Sequence, residues 1–432
     1  MTHPDLLRLY NQFLEHPVIC TDTRQIIPGS IFFALQGDRF DGNQYAAKAI
    51  SGGCSLAVVD DPKVASGNSY LVVTNVLTTL QDLARHHRRQ FNIPVLAITG
   101  SNGKTTSKEL IYEVISRKWN TLATVGNLNN HIGVPLTLLR LKQETEFAII
   151  EMGANHIGEI KTLCEIAEPG YGLITNIGFA HLEGFGSPEG VLKAKSEMYD
   201  YLRSHQGTCF VNAQDDTLMH ASETLSRITF GGNQSVIQGS IQPSDDLKLH
   251  VEWVLNGEHH HTGTHLTGAY NLSNILAAIA IGHHFQVDAS EIHTALSSYI
   301  PTNNRSQIIK TETNTVILDA YNANPSSMQA ALESLNMQRH PNTWVFLGDM
   351  LELGDRALQE HTHILHLLQE KRMKNVVLVG PLFRSVANHL PFHVFETTQA
   401  AKEWILTHPI NKALILIKGS RKMGLEAMVE VV

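Results

Sequence analysis

A lysine and two threonines that follow a glycine-containing turn are the residues of this chain best suited to chemistry. The run reads Thr99-Gly100-Ser101-Asn102-Gly103-Lys104-Thr105-Thr106. An apolar stretch, 93–98, precedes it and predicts a buried parallel strand, and residues 107–118 predict a helix. Backbone N–H groups in such a turn, with the positive end of the helix, bind phosphate. A lysine there reaches the outer phosphates and a threonine hydroxyl holds Mg²⁺, so the sequence predicts a triphosphate site.

This phosphate loop, residues 99–106, is a shortened form of the pattern G-x-x-x-x-G-K-[ST]. Ile98 stands where the strict pattern has its first glycine. The plain alternative is a tight turn with a solvated lysine. The order of strand, glycines, Lys-Thr-Thr and helix favours phosphate binding.

Carboxylate and imidazole groups follow two further predicted strands. Glu151 closes the run 147–150 and is followed by Met152-Gly153, which is the position of a metal-binding acid at the end of a buried strand. The alternative is a surface glutamate. His181 follows the strand predicted at 172–176, where a hydrogen-bonded structural histidine is the competing interpretation. Lys195 lies on a helix predicted at 188–201, and its periodicity alone does not distinguish it from a solvated lysine.

Length and composition set the class of protein. The 432 residues predict two to four domains, and 43% hydrophobic with 17% charged residues is an ordinary globular balance. The net charge of -8 argues against a nucleic-acid partner. We find no apolar run of about 18 residues, so no membrane span is expected. Residues 1–15 predict an amphipathic helix instead of a signal peptide, and the four scattered cysteines predict reduced thiols and a cytoplasmic location.

Three stretches with different patterns position these residues. Residues 1–92 hold short strand-like runs and one helix, 45–51, whereas residues 93–300 alternate apolar and amphipathic segments, as a parallel sheet covered by helices does. Residues 301–432 repeat the alternation in a Rossmann-like unit, after the turn-forming linker that starts at Pro301. We therefore predict a three-domain α/β protein. In the last stretch the predicted strands are 316–319, 344–347, 376–379 and 413–417, and the predicted helices are 326–337, 356–369, 399–407 and 420–431.

A histidine triplet, residues 259–261, lies between two alternating segments, 247–255 and 262–266. Those segments predict a β-hairpin with the histidines at its tip. A metal site is the alternative, which the lack of an accompanying carboxylate or spaced partner disfavours.

Taken in order, the motifs T-G-S-N-G-K-T-T, E-M-G-A, N-I-G-F-A-H-L-E and A-K-S-E resemble the Mur ligase family, the ATP-dependent ligases of peptidoglycan precursor synthesis. The resemblance continues through G-A-Y-N-L-S-N (268–274), N-R-S-Q (304–307), D-A-Y-N-A-N-P (319–325), L-G-D-M-L-E-L-G (347–354) and K-G-S-R (418–421). T-D-T-R (21–24) and G-D-R-F-D-G (37–42) look like the family's uridine-nucleotide domain. The resemblance thus covers nearly the whole chain.

The resemblance implies a role for each stretch: a UDP-substrate domain at 1–92, a P-loop ATP domain at 93–300 and a domain for the amino acid or dipeptide at 301–432. N-A-N-P (322–325) and G-N-L-N-N-H-I-G-V-P (126–135) most resemble members that add D-alanyl-D-alanine to UDP-N-acetylmuramoyl-tripeptide, and the D-N-P-R signature of the diamino-acid-adding members is absent. The family resemblance also implies a monomeric enzyme that forms ADP and acts in cell-wall biogenesis, cell shape and cell division.

Three alternatives stay open at this point. One is a family member that adds a different amino acid. Another is a P-loop ATPase or kinase, which would need no third domain with its own K-G-S-R loop. The last is a nucleotide-binding regulator without catalysis, in which Lys104, Glu151, His181 or Lys195 should be replaced, yet all four are present.

The family chemistry implies roles for these four catalytic candidates. ATP phosphorylates a carboxylate to an acyl phosphate, which an incoming amine then attacks. Lys104 would grip the β- and γ-phosphates, while Thr105 and Glu151 would hold one Mg²⁺. His181 would ligate a second Mg²⁺, and Lys195 matches the family lysine that CO₂ carbamylates, which makes it an anionic oxygen ligand.

The resemblance also implies binding residues. Asn271 and Asn274, one turn apart, resemble the pair that reads adenine, although Asn271 has the alternative of a helix N-cap. Arg305 and Asp319 would contact phosphate and ribose when the third domain closes. Tyr270 departs from the family, because many relatives carry histidine there.

Three pairs of polar residues match the ends of the other substrates. The resemblance places Asn127 and Asn130 near the peptide end of the nucleotide substrate, and Asn322 and Asn324 near D-alanyl-D-alanine. Turn formation is the alternative for these asparagines. Thr23 and Arg24 would contact the uridine diphosphate, with an Asp22–Arg24 structural pair as the competitor.

Overall fold

Three β-sheets of four, nine and six strands follow one another along the chain. The computed structural model describes residues 3–38, 40–179 and 182–432. The sheets lie within 19–72, 95–263 and 307–418, and helices cover them. The predicted three-domain α/β class is confirmed. Among the described helices, none combines the length and the apolar character needed to cross a bilayer.

The first domain is a small parallel sheet in the order β1-β2-β5-β6. Every residue of β2 and β5 is buried, because helices cover both faces. Its strands are β1 (Ile19–Cys20), β2 (Ile31–Phe33), the ribbon β3 (Gln36–Gly37) and β4 (Phe40–Asp41), β5 (Leu56–Val59) and β6 (Tyr70–Val72). Its helices are α1 (His3–Glu15), α2 (Ala46–Ser51) and α3 (Val76–Arg88).

The central domain is built on the nine-stranded sheet, in the order β15-β14-β13-β12-β11-β10-β7-β9-β8. All pairs from β8 to β13 are parallel, and β13–β14–β15 is an antiparallel meander. Its strands are β7 (Val95–Thr99), β8 (Thr121–Ala123), β9 (Phe147–Glu151), β10 (Tyr171–Ile174), β11 (Thr208–Asn212), β12 (Ser226–Phe230), β13 (Ile237–Gln242), β14 (His250–Leu255) and β15 (Glu258–Gly263). Its helices are α4 (Lys104–Ile115), α5 (Gly133–Leu138), α6 (Glu159–Ala167), α7 (Leu182–Phe185), α8 (Pro188–Ser204), α9 (Asp216–Ala221), α10 (Leu272–His284) and α11 (Ala289–Ser298).

Strand β7 lies between β9 and β10, so the carboxyl ends of these three parallel strands meet at one edge. Ligands of open α/β sheets bind in the crevice at such a position. Helix α4 begins at Lys104, three residues before the predicted start at 107. Gly103, with φ of 79°, turns the chain directly into the helix, so the phosphate loop leads straight into its positive end.

The predicted hairpin of the histidine triplet is present, but the triplet is not at its tip. Asn256 and Gly257, both with positive φ, form the turn, as in a type I′ hairpin. The histidines belong to β15. His260 stacks on Trp253 with ring centroids 4.2 Å apart, and Nδ1 of His259 lies 2.8 Å from Oε1 of Glu252. The prediction relied on the polarity of the histidines, but the Asn-Gly pair favours the turn more strongly.

The third domain is a six-stranded sheet in the order β16-β17-β21-β18-β19-β20, parallel except for the β16–β17 pair. Its strands are β16 (Gln307–Lys310), β17 (Thr315–Asp319), β18 (Thr343–Gly348), β19 (Asn375–Val379), β20 (His393–Phe395) and β21 (Leu414–Lys418). Its helices are α12 (Pro325–Met337), α13 (Ala357–Glu370), α14 (Pro381–Val386) and α15 (Thr398–Thr407).

The helix predicted at 420–431 is wrong. Two 3₁₀ turns, Arg421–Met423 and Leu425–Val431, occupy this segment. Gly424 between them has a left-handed backbone with φ of 62°, which interrupts an α-helical course.

The first and central domains share a hydrophobic core, whereas the third domain has two separate ones. One core runs from the first sheet through α3 to α5 and α6 of the central domain, where Leu83, Val134 and Leu163 are buried in the same cluster. The two cores of the third domain consist of buried residues between 316 and 428. Leu247 of the central domain packs against one of these cores, and polar contacts join the two domains at the cleft described below.

Candidate active site

A cleft of about 1150 Å³ lies between the carboxyl edge of the central sheet and the third domain. It brings together most of the residues that the sequence predicted for nucleotide, metal and substrate. They are Ser101, Asn102, Gly103, Lys104, Thr105, Thr106, Asn127, Asn130, Glu151, Asn271, Asn274, Arg305, Asp319, Asn322 and Asn324. A cleft of this kind, lined by convergent polar groups, is the expected form of a ligand site.

The phosphate loop is fixed against the segment that follows β10. A Cβ atom on Gly100 would lie 2.1 Å from Oγ1 of Thr175, so glycine is required by this close approach. Ser101 N donates to the Asn176 carbonyl at 3.0 Å, and Thr99 Oγ1 donates to the Met152 carbonyl at 2.8 Å. The loop is thus positioned before any ligand binds.

Lys104 folds back over its own loop. Its Nζ donates to the carbonyl oxygens of Gly100 at 2.7 Å and Ser101 at 3.3 Å. Burial lowers the pKa of Lys104, while the carboxylate of Glu151 acts in the opposite direction. A phosphate oxygen in the cleft would supply a far stronger partner for this ammonium group than the two carbonyls do.

Glu151 is 2% exposed, which contradicts the surface alternative. Its Oε2 accepts a hydrogen bond of 2.8 Å from Oγ1 of Thr105, and its Oε1 accepts one of 2.8 Å from Nδ2 of Asn129. Its backbone N donates to Oγ1 of Thr124 at 3.0 Å. A buried carboxylate beside a hydroxyl at the cleft fits Mg²⁺, which prefers oxygen ligands and completes its shell with phosphate and water.

Asn129 is a site residue that the sequence prediction missed. It belongs to the run Asn127-Leu128-Asn129-Asn130, from which only the outer two asparagines were chosen. Its backbone carbonyl also accepts from Gly153 N at 2.8 Å. The three asparagines of this run, close to the end of a predicted strand, were the signal in the sequence that could have identified Asn129.

Lys195 lies behind the cleft wall and is 1% exposed. Its Nζ donates to the carbonyl of Ala154 at 3.3 Å, and Ala154 lines the cleft. The ammonium also sits 5.2 Å from the centroid of the Phe185 ring. Burial first, and then the charge of Lys104, lower the pKa of Lys195 to about 7, so a neutral amine is readily formed. His181, predicted as a metal ligand, lies outside the described residues.

The two asparagines predicted to read adenine share one hydrogen-bond network. Nδ2 of Asn274 donates to Oδ1 of Asn271 at 2.9 Å, and Oδ1 of Asn274 accepts from Oγ of Ser107 at 2.9 Å. Nδ2 of Asn271 donates to the Thr267 carbonyl at 2.8 Å. The Asn271 amide is thus engaged with these groups instead of capping α10 in the way the alternative required.

On the other wall, the third domain contributes charge. Oδ2 of Asp319 lies 2.6 Å from Nζ of Lys418, which is 2% exposed, and Oδ1 accepts from Ser306 N at 3.3 Å. The Arg305 guanidinium lies 3.6 Å from the centroid of the Tyr321 ring. Lys418 and Tyr321 were not singled out from the sequence, although both stand within the quoted motifs K-G-S-R and D-A-Y-N-A-N-P.

Thr23 and Arg24 lie in the first domain, on the loop that follows β1. The Asp22–Arg24 pair considered as the alternative is present, with Nη2 of Arg24 2.7 Å from Oδ2 of Asp22. The side chain of Arg24 is 84% exposed. Hydrogen bonds from Arg24 lower the pKa of Asp22 to about 2.

Known proteins are similar in sequence to this chain over all three domains. Models of the Mur ligase family, catalytic domain, of the Mur ligase middle domain and of the Mur ligase, glutamate ligase domain match residues 17–96, 98–282 and 304–421. UDP-N-acetylmuramoyl-tripeptide--D-alanyl-D-alanine ligase of Bacillus subtilis is 32% identical, over 98% of this chain and 94% of that protein. The chain belongs to the Mur ligase family.

Two further relatives show that the likeness to Mur ligases extends over the full length. The ligase of the same name from Escherichia coli is 33% identical over 95% of this chain and 92% of its own length. The crystal structure of MurF from Acinetobacter baumannii superposes with a TM-score of 0.87 at 33% identity, covering 95% of this chain and 92% of that chain. As a Mur ligase, the protein is an ATP-dependent enzyme that forms amide bonds.

Proposed function

We propose that this Mur ligase joins D-alanyl-D-alanine to UDP-N-acetylmuramoyl-tripeptide in peptidoglycan precursor synthesis. Relatives carrying the name of that activity match nearly the full chain. The observation that carries the proposal is the cleft, in which the phosphate loop, the buried Glu151 and the Asn322–Asn324 segment line one cavity. Such a cavity suits a reaction between ATP, a carboxylate and an amine.

The chemistry explains why these groups converge. A carboxylate is a poor electrophile, because its charge repels a nucleophile and oxide is a poor leaving group. Transfer of the γ-phosphoryl group to it corrects both faults, but it gathers several negative charges in one place. Lys104 binds the β- and γ-phosphates, and Arg305 adds positive charge from the third domain. Mg²⁺ held by Thr105 and Glu151 would neutralise phosphate charge there.

Lys195 and His181 complete the proposed metal site. The neutral amine of Lys195 attacks CO₂, forms a C–N bond and loses a proton to water, which gives a carbamate with an anionic oxygen in place of a buried cation. His181 and this carbamate would hold a second Mg²⁺. Burial supports this role for Lys195, since burial favours the neutral amine that the reaction with CO₂ requires.

Binding roles follow the same assignment. Asn271 and Asn274 read adenine, and Asp319 contacts ribose. Asn127 and Asn130 bind the peptide end of the nucleotide substrate, and the Asn322–Asn324 segment lines the part of the cleft that takes the dipeptide.

In the first domain, Thr23 and Arg24 contact the uridine diphosphate. The proposed domain boundaries are 1–92, 93–300 and 301–432, and the proposed enzyme is a cytoplasmic monomer.

An omission assay tests the function. With ATP, Mg²⁺, UDP-N-acetylmuramoyl-tripeptide and D-alanyl-D-alanine, we expect release of ADP and phosphate together with an amide product. Leaving out either the nucleotide substrate or the dipeptide should stop the release of phosphate. Equal phosphate release without them would indicate a plain ATPase, and product formation only with another amino acid would indicate a Mur ligase of different specificity.

A further inference from the structure

Two hydrogen bonds join the central domain to the third domain beside the phosphate loop. Nδ2 of Asn324 donates to Oδ1 of Asn102 at 2.8 Å. Nearby, the backbone N of Phe179 donates to Oγ of Ser326 at 3.0 Å. A Cβ atom on Gly178 would approach that same hydroxyl to 3.0 Å, so the two surfaces are in close contact. The start of helix α12 therefore rests on the phosphate loop.

Asn102 is rigidly held on the central side. Its backbone N donates to Oδ1 of Asn176 at 3.0 Å. Its carbonyl accepts from Nδ2 of Asn176 at 2.9 Å and from Oγ1 of Thr175 at 2.6 Å. These three bonds fix the backbone of Asn102, while its side chain extends to the third domain. The phosphate loop thus presents a fixed acceptor at its outer surface.

Asn324 is held as firmly on the other side. Its Oδ1 accepts from Ser327 N at 2.9 Å, which caps α12, and its backbone N donates to Oγ of Ser327 at 3.1 Å. The residue is 9% exposed. One amide group therefore has two functions, because its oxygen caps the helix and its nitrogen binds Asn102. That leaves it little capacity to bind a substrate directly.

Polar contacts help to align the third domain, because the buried residues of its two hydrophobic cores all belong to it, although Leu247 of the central domain packs against one of them. Ser306 also contacts Tyr270 and Asn271, but it belongs to the linker that already joins the two domains. The Asn102–Asn324 hydrogen bond connects residues that are 222 positions apart in the chain. It lies at the phosphate loop itself. A misaligned third domain would admit water to an intermediate that water destroys.

We propose that Asn324 is a positioning residue, whose amide nitrogen aligns the third domain on the phosphate loop through Asn102. In this alignment the amine substrate, and not water, reaches the activated carboxylate. The proposal rests on the proposed function above. It assigns Asn324 to the contact between domains, where the family resemblance had suggested direct contact with the dipeptide.

The test uses Asn324→Ser in the full chain. Serine caps helices nearly as well as asparagine, so α12 is retained while the donor to Asn102 is lost. We expect the ratio of phosphate released to amide formed to rise about twofold or more above the wild-type value of one, because water competes for the acyl phosphate. Asn75→Ser is the matched control, since Asn75 caps α3 through Thr78 N at 2.8 Å in the first domain. It should leave the ratio at one.

Asn102→Ala removes the same bond from the other side and leaves the cap of α12 in place. It should uncouple the reaction similarly, and the double variant should be no worse than either single one, as expected for two partners of one contact. A ratio of one in both single variants would overturn the positioning role while leaving the function intact. A wild-type protein that forms no amide bond would instead contradict the proposed function, and with it the positioning role.

Discussion

The two loops assigned to nucleotides differ in how firmly the protein holds them. The phosphate loop follows a buried strand, and hydrogen bonds join Thr99, Ser101 and Asn102 to neighbouring segments. The loop of Thr23 and Arg24 follows a two-residue strand, and its arginine is exposed and bonded to a near neighbour, Asp22. Groups that must stabilise charge during a reaction need a fixed geometry, because reorganising them would cost part of their effect. A loop that only binds substrate can order on contact.

This contrast predicts that substitutions around the phosphate loop lower kcat, while substitutions in the first domain raise KM and leave kcat intact. The largest effect is expected at Glu151. Glu151→Ala should lower kcat by ~10²–10³-fold, near 3–4 kcal/mol, as loss of a central electrostatic group does. Steady-state kinetics at saturating Mg²⁺ measures this, with the exposed Glu144→Ala as control. A fall of less than tenfold, about 1.4 kcal/mol, would contradict the metal role.

Lys195→Ala should lower kcat by up to ~100-fold, the range seen when a metal site loses a supporting ligand. Acetate or formate should restore part of the rate, because a small carboxylate can replace the missing carbamate. Lys193→Ala, on the exposed face of the same helix, is the control and should behave as wild type. Full activity of the Lys195 variant would exclude the proposed ligand.

Asn129→Ala should lower activity by about tenfold and raise the Mg²⁺ concentration needed for half-maximal rate, because Glu151 loses the donor to its Oε1. Titration of activity with Mg²⁺ distinguishes this from a general loss of stability. The exposed Asn233→Ala is the control. An unchanged Mg²⁺ requirement would show that Asn129 does not orient the carboxylate.

Arg24→Ala should have the smallest effect: KM for the UDP substrate rises about fivefold, since exposed charges are screened by salt. The melting temperature should not change, because an exposed ion pair contributes little to stability. Arg8→Ala, exposed in the same domain, is the control. A lower melting temperature with an unchanged KM would assign Arg24 to the Asp22 pair alone.

The sequence predicts some elements of the fold more accurately than others. The apolar runs at 93–98 and 147–150 correspond to β7 and β9, because buried parallel strands are continuous apolar runs. Helix α4 starts earlier than predicted, because the helix pattern becomes visible only after Thr106, whereas the backbone turns at Gly103. The error at 420–431 arises from Gly424, whose left-handed conformation an amphipathic pattern does not report.

The sequence predicted a residue of the candidate site only where that residue belongs to a recognisable motif. Glu151 and Asn271 were predicted because strand ends and family motifs mark them, and both line the cleft. Asn129, Lys418 and the Asn102–Asn324 contact depend on chain segments that approach each other only in the folded protein, and no local pattern encodes such proximity. The role of His181 remains a prediction from the motif.

The most direct test follows one oxygen atom through the reaction. UDP-N-acetylmuramoyl-tripeptide labelled with oxygen-18 in its reacting carboxylate is incubated with the protein, ATP, Mg²⁺ and D-alanyl-D-alanine, and the released phosphate is analysed by mass spectrometry. Activation through an acyl phosphate predicts that each phosphate carries one labelled oxygen from the substrate. Unlabelled phosphate formed alongside the amide product would contradict the account.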